Sequence, residues 1–367
     1  MYIESLQLDN YRNYKELDIS FDKNINILYG DNAQGKTNIL ESIYLCGTTK
    51  SHRTKKDKEL ISFDKEEAHV KLVASKNDLT YKIDIHIKNN KSKGIAVNGV
   101  PVKKASDLYG IINCILFSPE DLFIIKNGPD ERRRFIDIII SQLDKVYLDN
   151  LIKYNKIIDN RNKLLKDISV DNSLKETLDV WDKQLCDYAV RIIETRERYI
   201  KEIRDISIDI HSKITAGEET FDIKYEKNTD IDDIEENLFK NRERDLYQKN
   251  TSVGPHRDDL YISVNNSDIR KYGSQGQQRT AALSMKLSEI ELVKNKINTM
   301  PVLLLDDVLS ELDSKRQTYL LESIKGIQTI ITCTGLDEFV KNRFKSDKVF
   351  KVISGTVIEE ESHGNRI

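Results

Sequence analysis

The residues best suited to chemistry lie in one glycine-rich segment near the start of the chain. Residues 30–37 have the pattern G-x-x-x-x-G-K-[ST], which follows an apolar stretch and precedes apolar residues at helical spacing. Glycines let backbone amides surround a phosphate, and a helix start adds its positive dipole. The segment therefore predicts a nucleotide-phosphate loop formed by Gly30, Asp31, Asn32, Ala33, Gln34, Gly35, Lys36 and Thr37.

Two side chains of this loop have predicted tasks of their own. Lys36 would neutralise the β- and γ-phosphates, and the Thr37 hydroxyl would bind Mg²⁺. ATP and Mg²⁺ are therefore the expected cofactors. A chance match in an unrelated loop is the alternative, and the strand before the loop and the helix after it argue against that.

A second group of candidate residues ends an apolar run near the other end of the chain. Residues 300–313 read MPVLLLDDVLSELD, which predicts a buried strand ending in Asp306 and Asp307. A buried carboxylate is costly without a cation or hydrogen bonds, and P-loop folds place a second Mg²⁺ ligand here. We predict that Asp306 binds Mg²⁺ and that Asp307 orients or deprotonates the attacking water. Lys36 and Asp307 are thus the predicted catalytic residues. A strand that simply ends in turn-forming acids remains the alternative.

Between these motifs lies a turn rich in glycine and glutamine, YGSQGQQR at residues 272–279. Ser274 would cap the helix predicted after it, and the amide of Gly276 would add a second anion site at a helix start. A capped helix that binds no ligand fits the same residues.

The elements that must position these motifs follow from the spacing of apolar residues and of proline. No proline occurs from Asp130 to Gly254, and the apolar positions there recur at three and four, which predicts several helices. Both flanks instead predict strands, and the alternation at 69–100 predicts antiparallel strands added to the sheet. The expected strands are 3–8, 17–21, 25–29, 302–305, 329–332 and 349–352.

This pattern predicts an α/β fold in which two sheet-forming flanks enclose a helical insert. We expect residues 1–120 and 255–367 to form one head and residues 121–254 to form a helical lobe. The turn at 272–279 could belong physically to that lobe, so its side of the boundary stays open.

Composition limits the classes of function that the chain can serve. The net charge is −3, so any nucleic-acid binding must use local basic patches and depend strongly on salt. The four cysteines are scattered and no histidine has metal-ligand spacing, so we expect neither a disulfide framework nor a zinc site. With no signal peptide and no membrane-spanning run, a cytoplasmic location is expected.

The S-x-G-Q pattern, about thirty residues before LLLDD, resembles the signature motif of ABC ATPases. In that superfamily the signature of one subunit binds the γ-phosphate held by the P-loop of a second. The resemblance implies an ABC-type P-loop ATPase head, with a mixed sheet and added antiparallel strands. It also implies an ATP-dependent homodimer in which Ser274, Gly276 and Gln277 act in trans.

Further motifs narrow the resemblance to the RecF family and cover nearly the whole chain. They are LDNYRNY at 8–14, GDNAQGKTN at 30–38, SHRTKKDKEL at 51–60, NGVPVKKASDL at 98–108, FSPEDL at 117–122, GPDERRRFID at 128–137 and GPHRDDL at 254–260. The resemblance implies ATP-dependent binding of duplex or gapped DNA in recombinational repair and replication, slow hydrolysis, and partners of the RecR and RecO type. It also places Arg12 near the nucleotide, with Tyr11 or Tyr14 packed nearby.

The chain departs from the transporter type of ABC ATPase at three positions. No glutamine lies at the strand end at residues 116–120, and no histidine follows the late strand at residues 332–334. The acid after Asp306 is Asp307 and not glutamate. These differences argue against the ATPase subunit of a membrane transporter, which is the main alternative. A P-loop kinase and a scaffold with a vestigial nucleotide site are further alternatives.

Clusters of basic residues are the candidates for contact with DNA phosphates. One cluster follows the P-loop helix and includes Arg53, Lys55 and Lys56, and another includes Arg132 and Arg133 at a predicted helix start. A charge run is often only a solvated face, so that alternative stays open for each cluster.

Overall fold

The computed structural model describes residues 1–335 and 348–360. The strands are β1 (Tyr2–Tyr11), β2 (Tyr14–Ser20), β3 (Ile25–Tyr29), β4 (Glu67–Lys76), β5 (Leu79–Lys88), β6 (Gly94–Val97), β7 (Val100–Pro101), β8 (Cys114–Phe117), β9 (Phe221–Glu226), β10 (Asp259–Val264), β11 (Ser267–Asp268), β12 (Val302–Asp306), β13 (Thr329–Cys333), β14 (Lys348–Ile353) and β15 (Thr356–Glu360). The helices are α1 (Lys36–Thr48), α2 (Phe123–Lys126), α3 (Pro129–Leu143), α4 (Lys145–Ile168), α5 (Leu178–Thr215), α6 (Ile234–Lys240), α7 (Arg242–Gln248), α8 (Ile269–Tyr272), α9 (Gln275–Ile297) and α10 (Ser314–Ser323). Among the described residues, no helix is long and apolar enough to cross a bilayer.

The chain divides into two units. The first contains Met1–Asp121 and the residues from Glu289 onward, and the second contains Leu122–Ser288. The start of the second unit lies where the sequence places the lobe, but its end lies beyond the expected residue 254. The reason is that β10 pairs antiparallel with β9 over six residues, which ties the chain after residue 254 to the second unit by backbone hydrogen bonds. The turn at 272–279 therefore belongs to the second unit.

One sheet of the first unit carries the predicted phosphate loop and the acidic strand. Its strand order is β15-β14-β3-β13-β12-β8, and every neighbouring pair is parallel except β14 with β15. All five residues of β12 are buried, as expected for a parallel strand covered on both faces. In a parallel sheet the carboxyl ends of neighbouring strands meet at one edge, so Tyr29, Asp306 and Cys333 end their strands side by side.

The alternating segment at 69–100 forms strands, but they do not extend that sheet. They form a separate antiparallel sheet with the first two strands, in the order β2-β1-β4-β5-β6-β7. Hairpins pair each strand with its neighbour in sequence more readily than with a distant parallel strand, which accounts for the difference. Along β4 every second residue is buried, so one face of this sheet lies in the core and the other faces solvent.

A single apolar core lies beneath both sheets of the first unit, and α1 packs against strands of each. Ile39, Leu40 and Ile43 of α1 are fully buried beside Leu6 and Leu304. Burial of a side chain of this size contributes about 1.5–3 kcal/mol, so the helix after the phosphate loop is firmly anchored.

The second unit contains the long helices that the sequence predicts and three strands, β9, β10 and β11, that it does not. α4 and α5 have 24 and 38 residues and pack along each other. β9, however, lies within the stretch expected to be helical. It follows Ala216 and Gly217, whose positive φ angles of 55° and 78° end α5. β9 is a strand because it pairs with β10, which lies more than 30 residues further along the chain, so no local sequence pattern reveals it.

Candidate nucleotide-binding site

The phosphate loop joins β3 to α1 and depends on glycine at both ends. Gly30 has φ of +151° and Gly35 has φ of +117°, a region that side chains disfavour. A Cβ on Gly30 would lie 2.3 Å from the Val352 carbonyl oxygen, and one on Gly35 would lie 2.7 Å from the Tyr14 hydroxyl. Both positions therefore exclude any larger residue, and the Tyr14 hydroxyl lies beside Gly35 of the loop.

Lys36 already lies within this loop. Its ammonium donates to the carbonyl oxygens of Gly30 at 2.6 Å and Asp31 at 2.8 Å, and the residue is only 4% exposed. An ammonium has three N–H donors, so these two bonds leave one for a phosphate oxygen. The loop thus holds one fixed positive charge beside the free amides of a helix start, and this arrangement fits a polyphosphate.

Two turns of the first unit brace the loop through Gln34. Its carbonyl oxygen accepts from the Asn13 side chain at 2.9 Å and from the Gly355 amide at 3.1 Å. Its side-chain oxygen accepts from the Ser354 amide at 2.5 Å. The side-chain oxygen of Gln34 is thus bonded to the β14–β15 turn. Any contact with a phosphate at this position would come from the backbone amide.

The predicted Mg²⁺ ligands lie together. Thr37 on α1 donates from its hydroxyl to Asp306 Oδ1 at 2.9 Å, and Asp306 at the end of β12 is 8% exposed. Hydroxyl and carboxylate oxygens are the donors that Mg²⁺ prefers, so these two residues fit the ion. A third residue, which the sequence analysis missed, is Thr332: it is in register with Asp306 on β13 and donates to the same oxygen at 2.8 Å.

Asp307 diverges from its neighbour. Its φ of 51° turns the chain out of β12, and its amide donates to the Thr332 hydroxyl at 3.0 Å. Asp306 consequently faces Thr37, whereas Asp307 starts the short turn Val308–Glu311 and stays partly exposed. Left-handed backbone at a non-glycine residue costs free energy and is common at functional sites, so this geometry agrees with a separate role for Asp307.

Arg12 pairs with a buried carboxylate. Its guanidinium donates to both oxygens of Glu41 on α1, at 2.9 and 2.7 Å, and Glu41 is fully buried. Burial alone would raise the pKa of Glu41, but hydrogen bonds from Arg12 and Ser51 outweigh it and hold that pKa below its usual value. The N–H groups that face Glu41 are engaged while this pair holds, so nucleotide binding by Arg12 stays a prediction.

The signature-like turn of the second unit is a reciprocal capping box. The Ser274 hydroxyl accepts from the Gln277 amide at 3.2 Å, and the Gln277 side-chain oxygen accepts from the Ser274 amide at 2.9 Å. The Gln277 side chain also donates to Glu219 at 3.0 Å. This glutamine therefore shapes the turn, while Ser274 remains exposed at the start of the 23-residue helix α9.

The candidate DNA residues differ in what surrounds them. Arg132 is 3% exposed and forms a two-pronged ion pair with Asp259 at 2.6 and 3.0 Å, so the prediction that it contacts DNA is wrong. Arg133 is also engaged, with Asp130 and the Asp258 carbonyl oxygen. Ion pairing across 127 residues of sequence gives no local signal, which is why the sequence does not reveal that Arg132 is buried. Contact of Arg133 with DNA stays a prediction.

Arg53, Lys55 and Lys56 are exposed on the first unit. Arg53 donates to Asn38 of the P-loop helix at 2.9 Å, and Asn38 donates in turn to Asn13 at 2.8 Å. Arg53 therefore lies two hydrogen bonds from Asn13, which itself braces Gln34. These three basic residues remain the candidates for a phosphate contact.

Comparison with known proteins places these features in a wider group. The family model described as RecF/RecN/SMC N terminal domain matches residues 2–357. The DNA replication and repair protein RecF of Agathobacter rectalis is 60% identical, over 97% of this chain and 99% of its own. That of Lachnospira eligens is 58% identical, over 98% and 100%.

Solved structures agree. A recombination mediator protein RecF with ATP, of the RecFOR pathway, superposes with a TM-score of 0.92 at 37% identity, covering 98% of this chain and 97% of that one. An Smc head domain from Pyrococcus furiosus is similar in fold, with a TM-score of 0.56 at 18% identity over 98% and 96% of the chains. The expected ABC-type head fold is confirmed.

Proposed function

The chain belongs to the RecF family, as its motifs predicted, and we propose that it is an ATP-dependent DNA-binding protein of recombinational repair and replication-fork maintenance. The names of the relatives support the role in repair and replication, and the ATP-bound relative supports nucleotide binding. These relatives favour DNA repair over the membrane-transporter alternative.

One observation carries the proposal: the 2.9 Å hydrogen bond between Thr37 and Asp306. It brings the end of the phosphate loop and the end of the acidic strand together. Lys36, Thr37 and Asp306 would then hold ATP with Mg²⁺, and the ion would neutralise charge on the phosphates. Asp307 is the residue we assign to the attacking water.

Homodimerisation is the second part of the proposal. The exposed Ser274, with the amide of Gly276, presents a helix start that would take the γ-phosphate bound by a second copy of the chain. The reciprocal bonds between Ser274 and Gln277 keep that helix start in shape. A shift from mostly monomer to mostly dimer takes about 5.5 kcal/mol, which two enclosed nucleotides could supply.

Hydrolysis of ATP would reset this dimer and is proposed to be slow. The acid after Asp306 is aspartate, whose carboxylate reaches less far than that of glutamate. No glutamine ends β8 and no histidine ends β13, so the γ-phosphate contacts of transporter-type enzymes are absent from these positions. We therefore propose a switch with weak ATPase activity.

Duplex or gapped DNA is the proposed partner, through the exposed Arg53, Lys55 and Lys56. Because the net charge is −3, binding must rely on such a local patch. Partners of the RecR and RecO type are proposed because the ATP-bound relative is described as part of the RecFOR pathway. A cytoplasmic location fits this role.

The test is duplex-DNA binding by the Asp307→Asn protein with ATP, with ADP and without nucleotide, with the mass of the complex measured in parallel. We expect a dimer and tight DNA binding with ATP alone, because the variant would retain ATP. Lys36→Ala is the matched control and should give neither. If Asp307→Asn binds ATP but neither the mass nor the DNA affinity changes, the proposed switch is wrong.

A further inference from the structure

The solvent-facing side of the antiparallel sheet carries a cluster that the nucleotide site does not use. His69 on β4 lies directly opposite His86 on β5, and their rings stack with centroids 3.9 Å apart. Glu67 lies two residues before His69 and therefore on the same face of β4. Its carboxylate meets His86 Nε2 at 3.0 Å.

The donor atoms of these three residues lie close enough to share one ion. One ligand atom from each of Glu67, His69 and His86 lies within 4.8 Å of the other two. Ligand atoms around tetrahedral zinc are about 3.3 Å apart, from bond lengths of roughly 2.0–2.1 Å. The Glu67–His86 pair at 3.0 Å is already near that value, and every other separation is at most 4.8 Å, so binding of an ion requires only a small side-chain adjustment.

The surroundings leave room for a further ligand. The cluster opens into a cavity of about 500 Å³ on this face. Opposite His86, on β6, stands Gly94, which has no side chain to fill the space, and opposite His69, on β1, stands Asp9. A water molecule or the Asp9 carboxylate can therefore complete the coordination.

We propose that Glu67, His69 and His86 form a binding site for a divalent transition-metal ion, with Zn²⁺ the best match. Two imidazoles and one carboxylate are a recurrent ligand set for zinc, whereas Mg²⁺ prefers oxygen alone. The site joins β4 to β5 and does not depend on ATP. It departs from the expectation of no zinc site because the two histidines meet only through the register of the hairpin.

Lys88 provides a further test of the proposal, because its ammonium would compete with the metal ion for the Glu67 carboxylate. Its ammonium lies 3.0 Å from Glu67 Oε2, the oxygen that also faces His86. Removing the Lys88 charge should strengthen metal binding, whereas removing an imidazole should weaken it.

The test is calorimetric titration of the full-length protein with Zn²⁺, in excess Mg²⁺ to occupy the oxygen ligands of the nucleotide site. We expect one Zn²⁺ per chain that is lost or weakened at least about tenfold in both His69→Gln and His86→Gln, and bound several-fold more tightly in Lys88→Gln. Lys71→Gln, on the same face, should match the wild type. Any zinc held by the cysteines is common to all these proteins and cancels in the comparison.

Cobalt supplies an independent readout. Co²⁺ in a site of two imidazoles and one carboxylate should give visible absorption without the near-ultraviolet band of a thiolate ligand. That absorption should disappear in His86→Gln, and circular dichroism should show the variant folded. Equal Zn²⁺ stoichiometry and affinity in wild type, His69→Gln and His86→Gln would overturn the proposal.

Discussion

His256 of the GPHRDDL segment should make the stability of the second unit depend on pH. Its ring Nδ1 lies 2.6 Å from the Tyr154 hydroxyl and its Nε2 lies 3.0 Å from the Thr251 carbonyl oxygen. A carbonyl oxygen only accepts, so Nε2 carries the hydrogen and Nδ1 accepts from the tyrosine. Both bonds are satisfied by the neutral ring, whereas protonation of Nδ1 would end its role as acceptor and place a positive charge near Arg257, Arg133 and Arg196.

Burial lowers the pKa of His256 from 6.5 to about 4, and nearby arginines add to this effect. Because the folded-state pKa lies below the unfolded one, the unfolded chain takes up a proton first as pH falls. The stability contributed by the neutral ring is complete above about pH 6.5 and is lost between there and pH 4. Between pH 7 and pH 5 the loss amounts to about 2 kcal/mol.

Urea unfolding followed by tryptophan fluorescence can measure this loss. The only tryptophan of the chain, Trp181, lies on α5 in the same unit as His256 and reports on its unfolding. The matched variant is His256→Asn, whose side-chain oxygen can still accept from Tyr154 but does not titrate. We expect the wild type to lose about 2 kcal/mol more than the variant between pH 7 and pH 5. Parallel stability curves for the two proteins would refute this reasoning.

Three further predictions concern the nucleotide and DNA sites. Gly30→Ala should destabilise the first unit by about 2–3 kcal/mol and abolish ATP binding, since a Cβ there meets a carbonyl oxygen at 2.3 Å; thermal unfolding and nucleotide titration check this. Glu219→Ala should weaken ATP-dependent dimerisation up to about tenfold, because Gln277 loses a charge-assisted bond, while ATP binding by the monomer stays unchanged. Sedimentation in the analytical ultracentrifuge measures the dimerisation, and nucleotide titration measures the ATP binding. Arg53→Ala with Lys56→Ala should weaken binding to every DNA sequence and reduce the dependence of affinity on salt; an unchanged salt slope would exclude this patch.

The local parts of the site could be predicted from sequence, because each motif carries its own structural context. The phosphate loop lies between a strand and a helix as expected, and Asp306 ends a buried strand. The same holds for the helix cap at Ser274, whose partner Gln277 is three residues away. Such contacts depend on neighbours in the chain, and the residue types alone imply them.

Contacts between distant residues could not be predicted in this way. Thr332 meets Asp306 only through the register of two parallel strands, and Gln34 meets Ser354 across 320 residues. Arg132 has the sequence context of a solvated helix start, but its side chain is buried and pairs with Asp259. The cross-strand pair of His69 and His86 has the same origin, since only the hairpin register places the two rings together.

The order in which the ribosome releases the chain bears on when ATP can first bind. β3 precedes the phosphate loop, but both of its neighbours in the sheet, β13 and β14, come from beyond residue 328. Roughly 300 residues separate β3 from β13, which at about 5–20 residues per second means some 15–60 s of synthesis. Throughout that interval β3 has two unpaired edges, a hazard for aggregation, and the loop lacks Asp306 and Thr332. A nascent or truncated chain therefore lacks Asp306, the carboxylate proposed to bind Mg²⁺, and we expect it to bind ATP with Mg²⁺ less tightly than the full-length chain.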